Sequence, residues 1–239
     1  MHEAVFAVMR LIDHALLHPT LTDAEVERGT RVASRCSAAS VCVKPCHVAL
    51  ARRKLAGSNV LVGTVVGFPH GNSCIETKVA EAERALRDGA DEIDAVVNVG
   101  KVLSEDWEYV DSEIRTLNNT ATARNGLLKV IFETAFLEDR HKVKLCQIAS
   151  ASRVAFVKTS TGFDFVRQPD GSSRTRGATD HDIQLMVRSV SSGVKVKASG
   201  GLATLDAVVN AHSLGAARIG TSATEAIYQA AMSRAVAAH

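Results

Sequence analysis

Short apolar runs rich in β-branched residues alternate along this chain with longer segments of helical character. The runs predict strands near 10–14, 40–43, 60–65, 92–97, 128–132, 155–158, 194–198 and 217–220. The first is the least distinct, because Leu11-Ile12-Asp13-His14 could equally end a helix. Two helix starts read as capping boxes, Thr22-Asp23-Ala24-Glu25 and Ser73-Cys74-Ile75-Glu76, in which hydroxyl and carboxylate satisfy free N–H groups reciprocally. Gly89, Gly193 and Gly215 suit the left-handed residue that follows a helix. Strand and helix in strict alternation argue for parallel strands joined by crossover helices. Eight such units predict an α/β fold, a (β/α)8 TIM barrel forming one catalytic domain over residues 1–239. An open dinucleotide-binding sheet is the competitor, but no G-x-G-x-x-G follows the first strands. Residues 164–176 break the pattern with polar residues, Pro169 and Gly171, and read as a long loop or hairpin.

Composition narrows the function. The 239 residues are 46% hydrophobic, enough for one sizeable core, and no apolar run is long enough to span a bilayer. A net charge of +2 gives no large basic field, so neither nucleic acid nor an anionic membrane is an expected partner. No signal peptide is read in residues 1–17, and a cytoplasmic location is expected. Five cysteines without paired C-x-x-C spacing suggest reduced thiols. Nine scattered histidines without H-E-x-x-H give a metal-dependent mechanism little support, and imine chemistry on a lysine would need neither metal nor organic cofactor. Pairing through outer helices, as a homodimer, is the expected assembly.

Two lysines stand at the ends of short apolar segments, in Phe156-Val157-Lys158-Thr159-Ser160 and Val196-Lys197-Ala198-Ser199. Burying an ammonium is costly, so the pattern suggests one amine used as a nucleophile. The two-residue strand period puts Glu92, Asp94, Val96 and Asn98 on one face. Lys129, Ile131 and Glu133 form a second row, Phe156, Lys158 and Ser160 a third, and Lys195, Lys197 and Ser199 a fourth. If these rows face inward, Asp94, Lys129, Lys158 and Lys197 converge. A free lysine has a pKa of about 10.4, so only about one in 2,500 is neutral at pH 7. Bringing it to roughly 7 requires about 4.6 kcal/mol of differential destabilisation, which burial and a second cation can supply. Blander roles stay open for each residue. Lys129 fits an ion pair with Glu133 or Asp94, Asp94 fits a structural carboxylate, and Lys158 could extend its head to solvent. Lys195 fits an outward position or support for Lys197. Ser199-Gly200-Gly201, entering a helix near Thr204, and Gly220-Thr221-Ser222, entering the last helix, lie where this fold holds phosphate.

At these residues the chain resembles the deoxyribose-phosphate aldolase family. The likeness runs through Ile12-Asp13-His14-Ala15-Leu16-Leu17, Val41-Cys42-Val43, Val66-Gly67-Phe68-Pro69-His70-Gly71, Asp91-Glu92-Ile93-Asp94 and Leu128-Lys129-Val130-Ile131. It continues in Phe156-Val157-Lys158-Thr159-Ser160-Thr161-Gly162-Phe163 and Val196-Lys197-Ala198-Ser199-Gly200-Gly201. The resemblance implies a class I aldolase that cleaves 2-deoxy-D-ribose 5-phosphate to D-glyceraldehyde 3-phosphate and acetaldehyde. It implies Lys158 as the Schiff-base nucleophile, Asp94 as proton shuttle and Lys197 as the tuning residue. It implies Asp13, Cys42, Lys129 and Thr161 in the substrate pocket. The phosphate would lie near Gly162, Gly200, Gly201, Gly220, Thr221 and Ser222. Members commonly pass from Gly-Phe to Gly-Ala-Thr within a few residues, whereas here 164–176 intervene with Arg167, Arg174 and Arg176. That insertion could cover the site, contact phosphate, or project outward. Another Schiff-base barrel with ketose donors, and a sugar-phosphate-binding barrel without turnover, are the competing readings.

Overall fold

The computed structural model describes residues 2–237. Its strands are β1 (Ile12–Leu16), β2 (Ser40–Val43), β3 (Leu61–Val66), β4 (Glu92–Val96), β5 (Leu127–Ile131), β6 (Phe156–Lys158), β7 (Val166–Arg167), β8 (Ser173–Arg174), β9 (Lys195–Ser199) and β10 (Ala216–Thr221). All but β7 and β8 pair in parallel and close into a (β/α)8 barrel in the order β1-β10-β9-β6-β5-β4-β3-β2. The helices are α1 (His2–Met9), α2 (Asp23–Arg35), α3 (Val48–Lys54), α4 (Ile75–Arg87), α5 (Val99–Leu103), α6 (Trp107–Thr122), α7 (Asp139–Ala151), α8 (Asp180–Ser189), α9 (Leu205–Ser213) and α10 (Thr224–Ala237).

The strand period sorts aliphatic from ionic residues. Ile12, Val41, Val62, Ile93, Leu128, Val130, Val157, Val196, Ala198 and Ile219 belong to the hydrophobic core that the helices cover. Their neighbours in sequence, Asp13, Ser40, Glu92, Asp94, Lys129, Lys158 and Lys197, are buried too, but on the opposite strand face. The aliphatic core therefore lies between sheet and helices, while charge fills the barrel's middle. Burial on both faces explains why the strands read as short apolar runs broken by single ionisable residues.

Three local expectations are corrected. The first strand starts two residues later than expected. Helix α1 continues to Met9, and Arg10 N and Leu11 N still bond back to Phe6 O and Val8 O at 3.0 Å. The Thr22–Glu25 capping box forms, but the Ser73–Glu76 box does not. Cys74 is the extended residue that caps α4, so Thr77 rather than Glu76 holds the third helical position, with its hydroxyl 3.0 Å from the Cys74 thiol. Gly89 and Gly215 have φ of +105° and +103° after α4 and α9. Gly193 does not end a helix, because α8 stops at an extended Val190, and the glycine lies in the turn closed by Val194 N and Ser191 O.

The irregular 164–176 segment is an antiparallel hairpin, β7 with β8, pinned at its base by buried Asp164, which accepts from Arg176 N at 2.7 Å and Gly177 N at 3.2 Å. Arg167 and Arg174 are exposed, and Arg176 turns to Asp182 on α8 at 2.5 Å. The tail over 232–239 continues α10 as far as Ala237; 238–239 lie outside the described residues.

Candidate active site

The inward rows meet as expected. Lys158 closes β6 and Lys197 stands beside it in register on β9, with Arg218 of β10 in register with Lys197 on the far side. Lys158 Nζ donates to Asp94 Oδ2 at 2.9 Å, and Lys197 Nζ donates to the same oxygen at 2.7 Å. Lys197 also pairs with Asp13 Oδ2 at 2.5 Å. Lys129 reaches Asp13 at 3.1 Å, Glu92 at 2.5 Å and Asp94 at 3.1 Å. Arg218 completes the network, with Nε on Asp13 at 2.6 Å and Nη2 on Glu92 at 2.9 Å. All three lysines are at most 2% exposed, so water screens these charges little.

Counting partners ranks the amines. Lys129 faces three carboxylates and Lys197 two, but Lys158 only Asp94. Burial opposes the charge on every one of them. For Lys158 burial is the largest influence and Lys197 adds to it, so its pKa lies below the ordinary lysine value despite Asp94. Burial works against Lys197 as well, but Asp13 and Asp94 outweigh it and raise its pKa. Lys129 is raised likewise, with Asp13, Asp94 and Glu92 overcoming burial. Burial alone would lift Asp94, yet Lys129, Lys158 and Lys197 together hold it well below the usual carboxylate range. Asp13 is lowered in the same way by Lys129, Lys197 and Arg218. Burial pushes the thiol of Cys42, also inside the barrel, up to about 11, so it stays protonated at neutral pH.

Above this network, at the C-terminal ends of β1, β6, β9 and β10, a cavity of about 590 Å³ opens. Thr161, Gly162, Gly200, Gly201, Gly220, Thr221 and Ser222 all line it, as do His14, Leu16, Leu17, Phe163 and Leu202. Of the residues expected in the substrate pocket, Thr161 lines it, whereas Asp13, Cys42 and Lys129, like Asp94, Lys158 and Lys197, are not in its wall and lie buried in the barrel. Gly220 joins the two levels, since a Cβ there would stand 2.8 Å from Ser199 Oγ and 3.3 Å from Lys197 Cε. Gly200 has φ of +95°, and a Cβ on it would sit 2.7 Å from Gly177 Cα, so glycine is required on both counts. Neither lysine nor arginine lines the cavity among the described residues, so an anion there would be held by backbone N–H groups and helix N-termini. Burial keeps His14 neutral, at a pKa of about 4, with Nδ1 2.7 Å from the Thr224 hydroxyl of α10.

Several contributors were not assigned from sequence. Glu92 shares the Asp94 face, and Arg218 alternates with Gly220, so strand period marks both as inward. Lys129 does not pair with Glu133. Glu133 adopts a left-handed φ of 56° after β5, which carries its carboxyl away from the strand row to accept from Thr161 N at 3.2 Å and from the Thr161 hydroxyl. Burial raises Glu133 to about 7 against those hydrogen bonds. Lys195 is exposed and lies 5.9 Å from the Phe156 ring, and among the described residues it makes no ion pair. Outside the barrel, Lys78 of α4 and Glu113 of α6 form a buried pair at 2.6 Å. Lys78 also donates to Gly71 O and Val96 O, and Glu113 accepts from Asn98 N, so the pair holds the loops after β3 and β4. Donor atoms of Asp139, His181 and Asp182 gather within 4.8 Å, but Lys142 and Arg176 already occupy Asp182 at 2.6 and 2.5 Å and would repel a cation.

Known proteins match this chain over most of its length. Residues 7–230 match the model described as DeoC/LacD family aldolase. A deoxyribose-phosphate aldolase from Rhodopirellula baltica is 42% identical over 91% of this chain and 86% of its own length. One from Treponema denticola is 40% identical over 91% of this chain and 96% of its own. The solved deoxyribose phosphate aldolase of Aeropyrum pernix, described as a tetramer, superposes with a TM-score of 0.86 at 27% identity, covering 97% of this chain and 94% of that one. With the matched segment spanning β1 to α10 and two relatives at this level of identity, the chain belongs to the DeoC/LacD family of aldolases.

Proposed function

We propose that this chain reversibly cleaves 2-deoxy-D-ribose 5-phosphate to D-glyceraldehyde 3-phosphate and acetaldehyde, as a class I aldolase acting in deoxyribonucleoside catabolism. The names carried by its relatives support the substrate. One observation carries the assignment of the nucleophile. Among the three lysines inside the barrel, Lys158 has the fewest carboxylate partners and the only lowered pKa, so its ammonium is the least stabilised.

The geometry supports the following reaction. Neutral Lys158 Nζ leaves Asp94, turns up towards the cavity and attacks the C1 aldehyde of the open-chain sugar. The carbinolamine loses water to give a protonated imine. The C2–C3 bond breaks, its electron pair flows towards the iminium nitrogen to form an enamine, and the C3 hydroxyl proton leaves as glyceraldehyde 3-phosphate forms. Asp94 takes that proton directly or through water; its Oδ1 accepts no hydrogen bond, although Lys129 Nζ stands 3.1 Å away. Protonation of the enamine at C2 and hydrolysis of the imine release acetaldehyde and return Lys158. Lys197, held charged between Asp13 and Asp94, keeps Lys158 neutral and donates a hydrogen bond to Asp94 Oδ2, and the proton Asp94 takes from the C3 hydroxyl passes on to enamine C2. The protonated imine is the electron sink, so the scheme routes no step through a metal or organic cofactor. Thr161 lines the sugar pocket, Asp13, Cys42 and Lys129 support it from within the barrel, and the glycine-rich ends of β6, β9 and β10 take the phosphate.

One catalytic domain in a cytoplasmic homodimer completes the reading. Light scattering of the purified chain tests the assembly. The mechanism is tested by treating the protein with acetaldehyde and borohydride and sequencing the modified peptide. An adduct on Lys158 is expected; its absence removes the proposal, and an adduct on Lys197 reverses the two roles.

A further inference from the structure

The barrel interior holds an uneven number of charges. Asp13, Glu92 and Asp94 supply three carboxylates, while Lys129, Lys158, Lys197 and Arg218 supply four basic groups, all joined by ion pairs. With every group ionised the network carries one excess positive charge in a buried, weakly screened place. Releasing one proton from one lysine makes it neutral. Without Arg218 the balance differs: three carboxylates match three ammonium groups, and deprotonating any lysine leaves a buried net negative charge.

We infer that Arg218 and Glu92 are positioning residues of the reaction, acting through charge to set the pH at which Lys158 becomes a nucleophile. This rests on the reading of Lys158 as the imine-forming amine. The placement is specific. Arg218, Lys197 and Lys158 lie in register on β10, β9 and β6, so Arg218 stands two strands, about 10 Å, from Lys158. Its Nε occupies Asp13 Oδ1, leaving Oδ2 to Lys197 and Lys129. Glu92 accepts from both Arg218 and Lys129. Neither side chain pairs with Lys158, whose one carboxylate partner is Asp94; Arg218 and Glu92 reach it only through Asp13, Lys129 and Lys197. Arg218 keeps its charge at any working pH, which makes it a fixed source of positive potential rather than a titrating partner.

A unit charge about 10 Å away, across an effective dielectric of about 20, moves a neighbouring pKa by roughly one unit. Arg218→Met is therefore expected to shift the acid limb of Lys158 reactivity upward by about one pH unit, lowering imine formation at pH 7 about tenfold. Glu92→Gln should move it the other way. The double variant R218M/E92Q restores one excess positive charge and should bring the limb back towards wild type. Loss of shape alone would leave the double variant worse than either single one. The other ionisable groups around Lys158 are Asp94 on β4, Lys129 on β5, Lys197 on β9, Asp13 on β1, Cys42 on β2 and Glu133 after β5. They are common to all four proteins and cancel in the comparison.

The experiment measures the rate of borohydride-trapped acetaldehyde adduct on the Lys158 peptide from pH 5 to 10 in the four proteins. Opposite shifts for the single variants, with recovery in the double, are the expected result. An unmoved limb in Arg218→Met, or a double variant that keeps its shift, overturns the inference. If Arg218→Met does not fold, a downward shift in Glu92→Gln with a wild-type limb in the double variant supports it, and any other pair of results overturns it. A wild-type protein without adduct on Lys158 would instead remove the underlying reading of the nucleophile.

Discussion

Replacing Lys197 by methionine tests how the neutral amine is maintained. Both lysine nitrogens lie on Asp94 Oδ2, at 2.9 and 2.7 Å, so they stand within about 5–6 Å of each other. At that separation, with an effective dielectric of about 20, the ammonium of Lys197 disfavours a second charge on Lys158 by about 3 kcal/mol, or roughly two pH units. Methionine keeps most of the apolar stem and removes the charge. It also frees Asp94 to bind Lys158 more closely, which acts in the same direction. Lys197→Met is expected to raise the acid limb of kcat/KM by about two units and to cut the neutral fraction of Lys158 at pH 7 about 100-fold. The assay is steady-state cleavage of 2-deoxy-D-ribose 5-phosphate from pH 5 to 10, read through release of glyceraldehyde 3-phosphate. A limb that stays in place, whatever happens to the plateau, would refute the electrostatic reasoning and leave Lys197 a proton donor only.

Asp94→Asn should leave borohydride trapping on Lys158 intact, because the amine loses its one stabilising carboxylate, while turnover falls by about 10²–10⁴. Parallel trapping and cleavage measurements separate the two steps. Lys78→Met strands the buried Glu113 carboxylate and should cost about 3–5 kcal/mol in urea unfolding, without moving the pH profile. Glu133 is raised from the ordinary glutamate value to about 7, so its contribution to stability is present in full below the unfolded pKa and is lost as pH rises through about 7. Glu133→Gln should therefore stabilise the protein at pH 8 by up to a few kcal/mol and change little near pH 4, as compared by urea midpoints.

Barrel and lysine pair were legible in the sequence because they rest on local order. A strand's two-residue period is strict, so an ionisable residue between aliphatic neighbours, such as Asp94 between Ile93 and Ala95, must face the barrel's middle once the helices cover the other side. What crosses the barrel was less legible. Lys129 was assigned to Glu133 or Asp94; its other partners, Asp13 and Glu92, lie on β1 and β4, and no spacing rule joins β1 to β5. Arg218 went unassigned for the same reason, since its inward position is plain but its carboxylates come from distant strands. Cap positions failed where one residue of backbone mattered. The extended Cys74 moved the start of α4 past Ser73, and the extended Val190 ended α8 without a glycine. The 164–176 segment reads as an excursion from its polar composition, but the buried Asp164 that pins it is visible only once Arg176 and Gly177 fold back onto it.

Site-resolved titration of the lysine side chains by ¹⁵N NMR in the unliganded protein probes the central claim most directly. Lys158 Nζ is expected to lose its proton below the usual value of about 10.4, while Lys129 and Lys197 stay charged beyond it. Lys158 titrating together with solvent-exposed lysines, or Lys197 losing its proton first, would contradict it.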